Sequence, residues 1–291
     1  MTEQQKYAVL LYKEILAGKN MTTSNKLCYL DHVINLLNTK LPLSRLKVKI
    51  LYRIYADIGK GLSYVRPCYE CFKYGRGWPC SCLEIVLVPR RRDIKYSLMH
   101  EWGHVYLGDK VDPIFAITVP CKGSEKTLTT LMKNTISHCI EGLTCDTIVD
   151  YVVSKHIEEY RKHIINTIKE QIEDLTTIGE PSNKPLEEDP LICTQIASLY
   201  VTAKALKLTN ITTKAIKCFK NFNCNININQ LNSIVTALHH EKYLQAYIKL
   251  ANTLLNKYYG IKVKTVKTIG KDPITNKNIS YRCVKLTKLR H

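Results

Sequence analysis

The pentapeptide His100-Glu101-Trp102-Gly103-His104 has the residue types and the spacing of a metal site. On a helix, residues four apart lie on one face about one turn apart, so the two imidazoles can reach a single ion. The glutamate between them can then act as a general base on a metal-activated water. The sequence therefore predicts His100 and His104 as metal ligands and Glu101 as the catalytic residue.

The motif lies in a short helix that directly follows an apolar strand. Residues 83–88 predict the strand, and Asp93 is the predicted N-cap of a helix from about Ile94 to Leu107. Gly108 stands where a C′ glycine would end that helix. The pattern thus predicts a helix bounded at both ends, with the two histidines inside it.

This strand, helix and HEWGH arrangement resembles the gluzincin branch of the zincin metallopeptidases, and is similar to the minigluzincins and the ImmA/IrrE-type intracellular peptidases. The resemblance covers about residues 46–155. It implies a zinc-dependent metallopeptidase, an endopeptidase rather than an exopeptidase, in which zinc activates a water and Glu101 takes its proton. It also implies that the 83–88 strand borders the cleft where a peptide substrate pairs as an added strand.

A catalytic zinc needs a third protein ligand and an open position for water. In gluzincins this ligand is a glutamate on a later helix, and Glu141 in Glu141-Gly142-Leu143-Thr144 resembles it. Asp146 is the alternative third ligand, with Asp150 and His138 as further candidates. On an ideal α-helix Glu141 and Asp146 point about 140° apart, so only one of their two faces could meet the metal. Three side chains are candidates for the oxyanion donor: His138, Tyr151 and His156.

The chain contains 12 cysteines, of which four form a tight C-x2-C-x8-C-x-C cluster: Cys68, Cys71, Cys80 and Cys82. Four thiolates this close can form a closed tetrahedral zinc site, and two disulfides are the alternative. The other eight cysteines are scattered, and we interpret them as small core residues. The cofactors predicted are therefore one catalytic Zn²⁺ and one structural Zn²⁺.

The chain is basic, with 43 Lys and Arg against 25 Asp and Glu, a net charge of +18. Residues 40–95 hold 13 basic and 4 acidic side chains, and residues 259–291 hold 9 and 1. These segments are either solubilising surfaces or a face that binds nucleic acid weakly and without sequence preference. The alternative function is therefore a nucleic-acid-binding zinc protein whose HExxH metal site is not catalytic.

Hydropathy and composition limit the classes of protein to which this chain can belong. No run approaches 18 apolar residues and no secretory signal is present, so we expect an intracellular, cytoplasmic protein that does not contact a membrane. A hydrophobic content of 45% is enough for a real core. The expected partner is a peptide or protein substrate.

The expected fold class is α+β. A zincin-like catalytic domain with a small sheet and active-site helices is predicted over 1–178, and a helical region over 186–291 that ends in a basic β-hairpin. Periodicity predicts these elements: helices 4–17 and 24–39, a strand from Leu46 to Ile54, one bent or two helices meeting at Gly142 over 125–175, helices from Asp189-Pro190, near 212–221 and over 230–258, and hairpin strands Ile261–Thr268 and Ser280–Thr287.

Overall fold

The computed structural model describes these residues: 12–13, 28–52, 63–74, 79–87, 94–121, 138–178 and 189–288. The chain forms two compact units. The N-terminal unit extends to Thr118 and includes Lys267–Arg282. The helical unit comprises Val119–Val266 and the chain from Cys283 onward. The fold is α+β with two small sheets and a β-hairpin near its end, as predicted.

A four-stranded mixed sheet lies in the N-terminal unit. Its strands are β1 (Tyr12–Lys13), β2 (Lys47–Tyr52), β3 (Tyr64–Pro67) and β4 (Cys82–Leu87), in the order β1-β2-β4-β3. Strands β2 and β4 are parallel, whereas the outer pairs are antiparallel. Every residue of β4 is buried, because this apolar strand is bonded to a neighbour on each side.

Three helices and a short turn complete the described part of this unit. They are α1 (Cys28–Lys40), α2 (Tyr69–Tyr74), α3 (Ile94–Lys110) and a 3₁₀ turn (Pro113–Phe115). Helix α3 carries the HEWGH motif and packs against α1, β3 and β4. The helix predicted over 24–39 and the strands predicted from Leu46 and over 83–88 are confirmed where described, whereas β3 and α2 were not predicted.

The opening helix predicted over 4–17 is wrong at Tyr12 and Lys13. These residues pair with Leu51 and Ile50 of β2 instead. Pairing with a sheet edge overrides the helical periodicity of so short a segment. The rest of 4–17 lies outside the described residues.

The predicted end of the motif helix at Gly108 is also wrong, because α3 continues to Lys110. A Cβ placed at Gly108 would lie 2.6 Å from the Cβ of Ala116. Gly108 therefore allows the chain after the 3₁₀ turn to approach the helix closely. The predicted N-cap, Asp93, lies outside the described residues.

The described part of the helical unit contains a π-helix (His138–Cys145) and six α-helices: α4 (Asp146–His156), α5 (Glu158–Ile178), α6 (Pro190–Ala205), α7 (Thr209–Asn221), α8 (Ile228–His239) and α9 (Tyr243–Tyr259). The break between α4 and α5 falls at Ile157 rather than at Gly142. Asp189 caps α6 as predicted, since its Oδ1 accepts the N–H of Leu191 at 2.8 Å.

Two further differences concern the end of the chain. The single helix predicted over 230–258 is two helices, because the chain turns after α8 and Glu241 adopts a φ of 57°. The hairpin is confirmed, with strands β5 (Ile261–Lys271) and β6 (Asn278–Lys288). Helices α4 and α5 pack with α6 and α7, so the observed units differ from the predicted domains 1–178 and 186–291.

Two disulfides link parts of the helical unit. Cys121 is bonded to Cys283, and Cys193 is bonded to Cys224. The interpretation of these four cysteines as simple core residues was wrong. Three other scattered cysteines are buried and form no disulfide, as interpreted: Cys139, Cys145 and Cys218.

These two disulfides are relevant to the cellular compartment in which the protein occurs. Such bonds are uncommon in cytosolic proteins, so the pairing does not support the expected cytoplasmic location. Within the described residues, no helix combines the length and apolarity needed to span a membrane.

A buried carboxylate joins α3 to the start of β2. Asp109 is almost fully buried and accepts the backbone N–H groups of Ser44, Arg45 and Leu46 at 2.7–2.9 Å, as well as the Ser44 hydroxyl. Burial alone would raise the pKa of Asp109, but these hydrogen bonds together lower it below its ordinary value of 3.8. The ionised side chain therefore anchors the segment that leads into β2.

We expect Asp109→Asn to lower the free energy of unfolding by about 3 kcal/mol at pH 7, because an amide cannot satisfy all these donors. Since the pKa is lower in the folded state, this stabilisation is present above about pH 4 and is lost as the pH falls through the folded pKa. Urea unfolding of wild type and variant at pH 7 and near pH 3 measures both effects. Asp174→Asn, on the exposed face of α5, is the control and should change stability by less than about 0.5 kcal/mol. Equal stability of Asp109→Asn and wild type at pH 7 would contradict the assignment.

Candidate metal centre

The two histidines of the motif converge on one point. His100 and His104 lie one turn apart on α3, and their Nε2 atoms are 3.2 Å apart. Two nitrogens bound to one zinc at 2.0–2.1 Å with a tetrahedral angle are separated by about 3.3 Å. The imidazole pair therefore has the spacing of two ligands of a single tetrahedral zinc.

The orientation of His104 is fixed by a backbone carbonyl. Its Nδ1 lies 2.8 Å from the carbonyl oxygen of Phe115, which can only accept, so we assign the proton to Nδ1. The lone pair of Nε2 then points toward His100. This is the tautomer that a metal ligand needs, and it is set by the chain that follows the helix.

The rest of the motif holds the helix in place. Trp102 is buried, and its indole N–H donates to the carbonyl of Leu41 at the end of α1, at 3.0 Å. Trp102 thus ties α3 to the end of α1. Glu101, the predicted base, is 7% exposed on the same helix and directly follows His100.

The candidate third ligands all lie in the helical unit. Glu141 is part of the π-helix and its side chain lies outside the described residues, as does that of His138. Asp146 is half-buried and begins α4. Asp150 already accepts a hydrogen bond of 2.6 Å from the Tyr160 hydroxyl, which makes it the weaker candidate.

The π-helix corrects the expectation that Glu141 and Asp146 belong to opposed faces. A π-helix closes hydrogen bonds between residues five apart, so its positions i and i+5 lie nearly one above the other. The backbone positions 141 and 146 are therefore close to one side of the helix rather than about 140° apart. The ideal α-helix assumed from sequence was the source of the error.

A buried threonine accounts for this wider turn. The Thr144 hydroxyl donates to the carbonyl of Cys139, five residues earlier, at 2.7 Å. Thr144 is fully buried, so this hydrogen bond is not exchanged for one to water. A side chain that bonds into the backbone ladder in this way is a known cause of local helix distortion.

Two of the candidate oxyanion donors, Tyr151 and His156, have described side chains in the helical unit. Tyr151 is buried and its ring centroid is 6.1 Å from that of His239, also in the helical unit. Burial raises the pKa of Tyr151, so its hydroxyl keeps its proton. His156 is exposed at the end of α4. Neither residue is distinguished as an oxyanion donor by its surroundings.

The 83–88 strand does not border an open edge. It forms β4, which is bonded to β2 on one side and β3 on the other, so no further strand can be added to it. The expectation that a substrate would pair with this strand was wrong. Strand β3, which pairs only with β4 among the described residues and packs against α3, is the edge next to the motif.

The four clustered cysteines lie together and are all buried. The structure joins them as two pairs, Cys68 with Cys82 and Cys71 with Cys80, with Cα–Cα distances of 5.5 and 6.2 Å. The backbone N–H of Cys82 donates to Sγ of Cys80 at 3.3 Å. A zinc site and two disulfides both need the four sulfur atoms to lie close together, so the structural zinc site stays a prediction.

The turn of the hairpin rests on this cluster, within the N-terminal unit. Asp272 is fully buried and accepts the hydroxyl of Ser81, between Cys80 and Cys82, at 2.6 Å. A Cβ at Gly270 would lie 2.4 Å from Cδ of Pro79, so only glycine allows this approach. Burial alone would raise the pKa of Asp272, but its hydroxyl and backbone hydrogen bonds together lower it. A charged side chain therefore holds the hairpin turn against the cysteine loop.

Sequence reasoning missed the residues that support His104. Phe115 contributes a backbone carbonyl, which no side-chain pattern reveals. The turn that presents it does have a signal: Asp112-Pro113 is an N-cap followed by proline at N1, the same signal that correctly predicted the start of α6.

Comparison of the chain with models of protein families, with curated proteins and with solved structures gives no match.

We expect the purified protein to hold zinc at Cys68, Cys71, Cys80 and Cys82, because the four clustered sulfur atoms, as thiolates, would match a closed tetrahedral site in place of the two disulfides. Native mass spectrometry without reductant should show this zinc, and substituting serine for Cys71 and Cys80 should remove it. A control with serine at Cys139, a free buried cysteine of the helical unit, should retain it. Cluster peptides lighter by four hydrogens, with no zinc, would instead establish the two disulfides.

Proposed function

We propose that this protein is a zinc-dependent metallopeptidase whose motif helix is α3. The observation that carries the proposal is the 3.2 Å separation of the Nε2 atoms of His100 and His104, together with the Phe115 carbonyl that fixes the tautomer of His104. With its Nδ1 proton directed at Phe115, His104 presents the unprotonated Nε2 that a metal ligand needs.

The donor set fits zinc. Two imidazole nitrogens and one carboxylate are the ligands of many catalytic zinc sites, which leave one position open. His100 and His104 would hold the ion, and Glu141 or Asp146 is the carboxylate ligand that the sequence pattern predicts. When bound, zinc supplies a Lewis acid that polarises a carbonyl and lowers the pKa of a water molecule.

Glu101 performs the proton transfers. It accepts a proton from the attacking water and passes it to the amine that leaves, so that the amine departs neutral. The residue is nearly buried on α3 beside His100, which limits competing hydrogen bonds with bulk water. Its position within the motif therefore suits a base rather than a metal ligand.

An extended peptide is the substrate class that the sheet favours. Strand β3 is antiparallel to β4, lies at the edge of the described sheet and packs against α3. Main-chain hydrogen bonds to such an edge would hold an extended peptide alongside the helix that carries Glu101. An edge of this kind binds the middle of a chain as readily as its end, which favours endopeptidase activity.

One observation favours a second candidate function, weak binding of nucleic acid by a zinc protein with a non-catalytic motif. In the helical unit, Lys262 and Lys264 are exposed whereas Ile261 and Val263 are buried, which is the alternation predicted for a basic strand face. Exposed lysines in such a row can neutralise phosphates and release counterions.

We expect Glu101→Gln to retain zinc while lowering kcat by about 10²–10⁴-fold, because the amide cannot take a proton. Zinc content and cleavage of casein or an unstructured peptide measure the two properties. Glu159→Gln, on the exposed start of α5, is the matched control and should cleave normally. Cleavage by Glu101→Gln at the wild-type rate would refute the peptidase assignment, and so would a wild type without zinc.

The third ligand is tested by single substitutions in the helical unit. We expect Glu141→Ala to lose the catalytic zinc and Asp146→Ala to retain it, on the resemblance of Glu141-Gly142 to the gluzincin pattern. Asp150→Asn is the control and should keep its zinc, since Asp150 is engaged by Tyr160. Zinc retention decides the assignment: the reverse pattern would make Asp146 the ligand, and retention by both variants would exclude each of them.

For the basic strand, we expect a labelled DNA duplex to bind weakly, with an affinity that falls steeply between about 50 and 200 mM salt. Replacing Lys262 and Lys264 by glutamate should weaken this binding, whereas serine at the free buried Cys139 should not. Absence of binding at about 50 mM salt would leave the lysines as a solubilising surface.

A further inference from the structure

The support of His104 continues beyond Phe115 to a charged pair within the N-terminal unit. The 3₁₀ turn that presents the Phe115 carbonyl begins at Asp112, whose Oδ1 accepts the N–H of Ile114 at 3.1 Å. The N–H of Phe115 donates to the carbonyl of Asp112 at 3.1 Å. The position of the carbonyl that His104 uses therefore depends on how Asp112 is held.

Asp112 is held by an arginine from strand β6. Nε of Arg282 lies 3.2 Å from Oδ2 of Asp112, and the two side chains are 31% and 13% exposed. One carboxylate oxygen thus caps the turn while the other pairs with the guanidinium. Asp112 also accepts the backbone N–H of Arg282. Loss of the guanidinium would therefore remove the opposite charge from a carboxylate that is mostly removed from water, and would weaken the hold on the turn.

The residue that follows the 3₁₀ turn also packs closely against α3. Ala116, directly after the turn, fits against Gly108, where even a methyl group would clash. Gly108 is one helical turn after His104, so the contact places the turn next to the imidazole. Because of this packing, the Phe115 carbonyl can change its position only if the 3₁₀ turn rotates. The contacts of Asp112 oppose that rotation.

We infer that Arg282, acting through Asp112 and the Phe115 carbonyl, is a positioning residue that fixes the tautomer and orientation of His104 for metal binding. The effect on metal affinity rests on the proposed function, whereas the effect on the tautomer does not. Nothing in the sequence near the motif indicates this residue, which lies on the second strand of the C-terminal hairpin.

The inference is tested on the full chain with two readouts. Imidazole ¹⁵N NMR reports which nitrogen of His104 carries the proton, with His104→Gln used to assign the signal. Competition with a chromophoric chelator measures affinity for Zn²⁺, with His100→Ala used to identify the binding step of this site. Circular dichroism ensures that only folded variants are compared.

We expect Arg282→Ala to populate the other His104 tautomer and to weaken zinc binding by about 10-fold, as is typical when a residue supporting a ligand is removed. Arg282→Lys should restore most of both properties, because the ammonium can still pair with Asp112. Asp112→Ala should resemble Arg282→Ala, whereas Asp112→Asn, which retains a capping oxygen, should be milder.

Arg161→Ala is the matched control, since it too removes an arginine that pairs with a carboxylate. Arg161 lies 3.8 Å from Glu158 at the start of α5, in the helical unit, so the tautomer and zinc affinity should be unchanged. A folded Arg282→Ala variant with the wild-type tautomer would overturn the inference, and so would one that binds zinc as tightly as wild type. If the wild type binds no zinc, the proposed function fails and the tautomer alone decides the inference.

Discussion

The Asp109 carboxylate is the constraint on which the N-terminal unit depends. A buried anion is tolerated only if its oxygens are satisfied, and Asp109 meets this condition by taking N–H groups from the segment 44–46. The next residue, Lys47, starts β2, and its N–H donates to the carbonyl of Ser81 just before β4. One side chain at the end of α3 thereby fixes where β2 starts, and with it the parallel register of the two central strands.

The same helix carries His100 and His104, so the sheet and the candidate metal centre share one support. Trp102 secures α3 to the end of α1, Asp109 secures it to β2, and the 3₁₀ turn secures His104. Each of these contacts joins a helix residue to backbone from elsewhere in the N-terminal unit. Backbone partners suit this task because their positions are set by secondary structure rather than by rotamers.

The C-terminal hairpin contributes to the N-terminal unit at two places. Its turn is anchored through Asp272 on Ser81 of the cysteine loop, and Arg282 of β6 is paired with Asp112 at the 3₁₀ turn. Segments distant in sequence thus stabilise both the cysteine cluster and the support of His104. The basic charge that dominates this segment in sequence is therefore only part of its role, since its two most buried charged side chains are engaged in structural contacts.

The sequence by itself determined the elements whose signals are local: the HEWGH spacing, the helix around it, the Asp189-Pro190 cap and the alternating hairpin strands. These depend on periodicity and capping within a few residues, which the chain specifies directly. The tertiary structure decided the pairing of Tyr12 and Lys13 with β2, the central place of β4, the course of α3 past Gly108 and the disulfides of scattered cysteines. Each of these features depends on a partner far away in the chain. No local sequence pattern reveals which strand pairs with another, which N–H groups a buried carboxylate accepts, or which carbonyl orients a histidine.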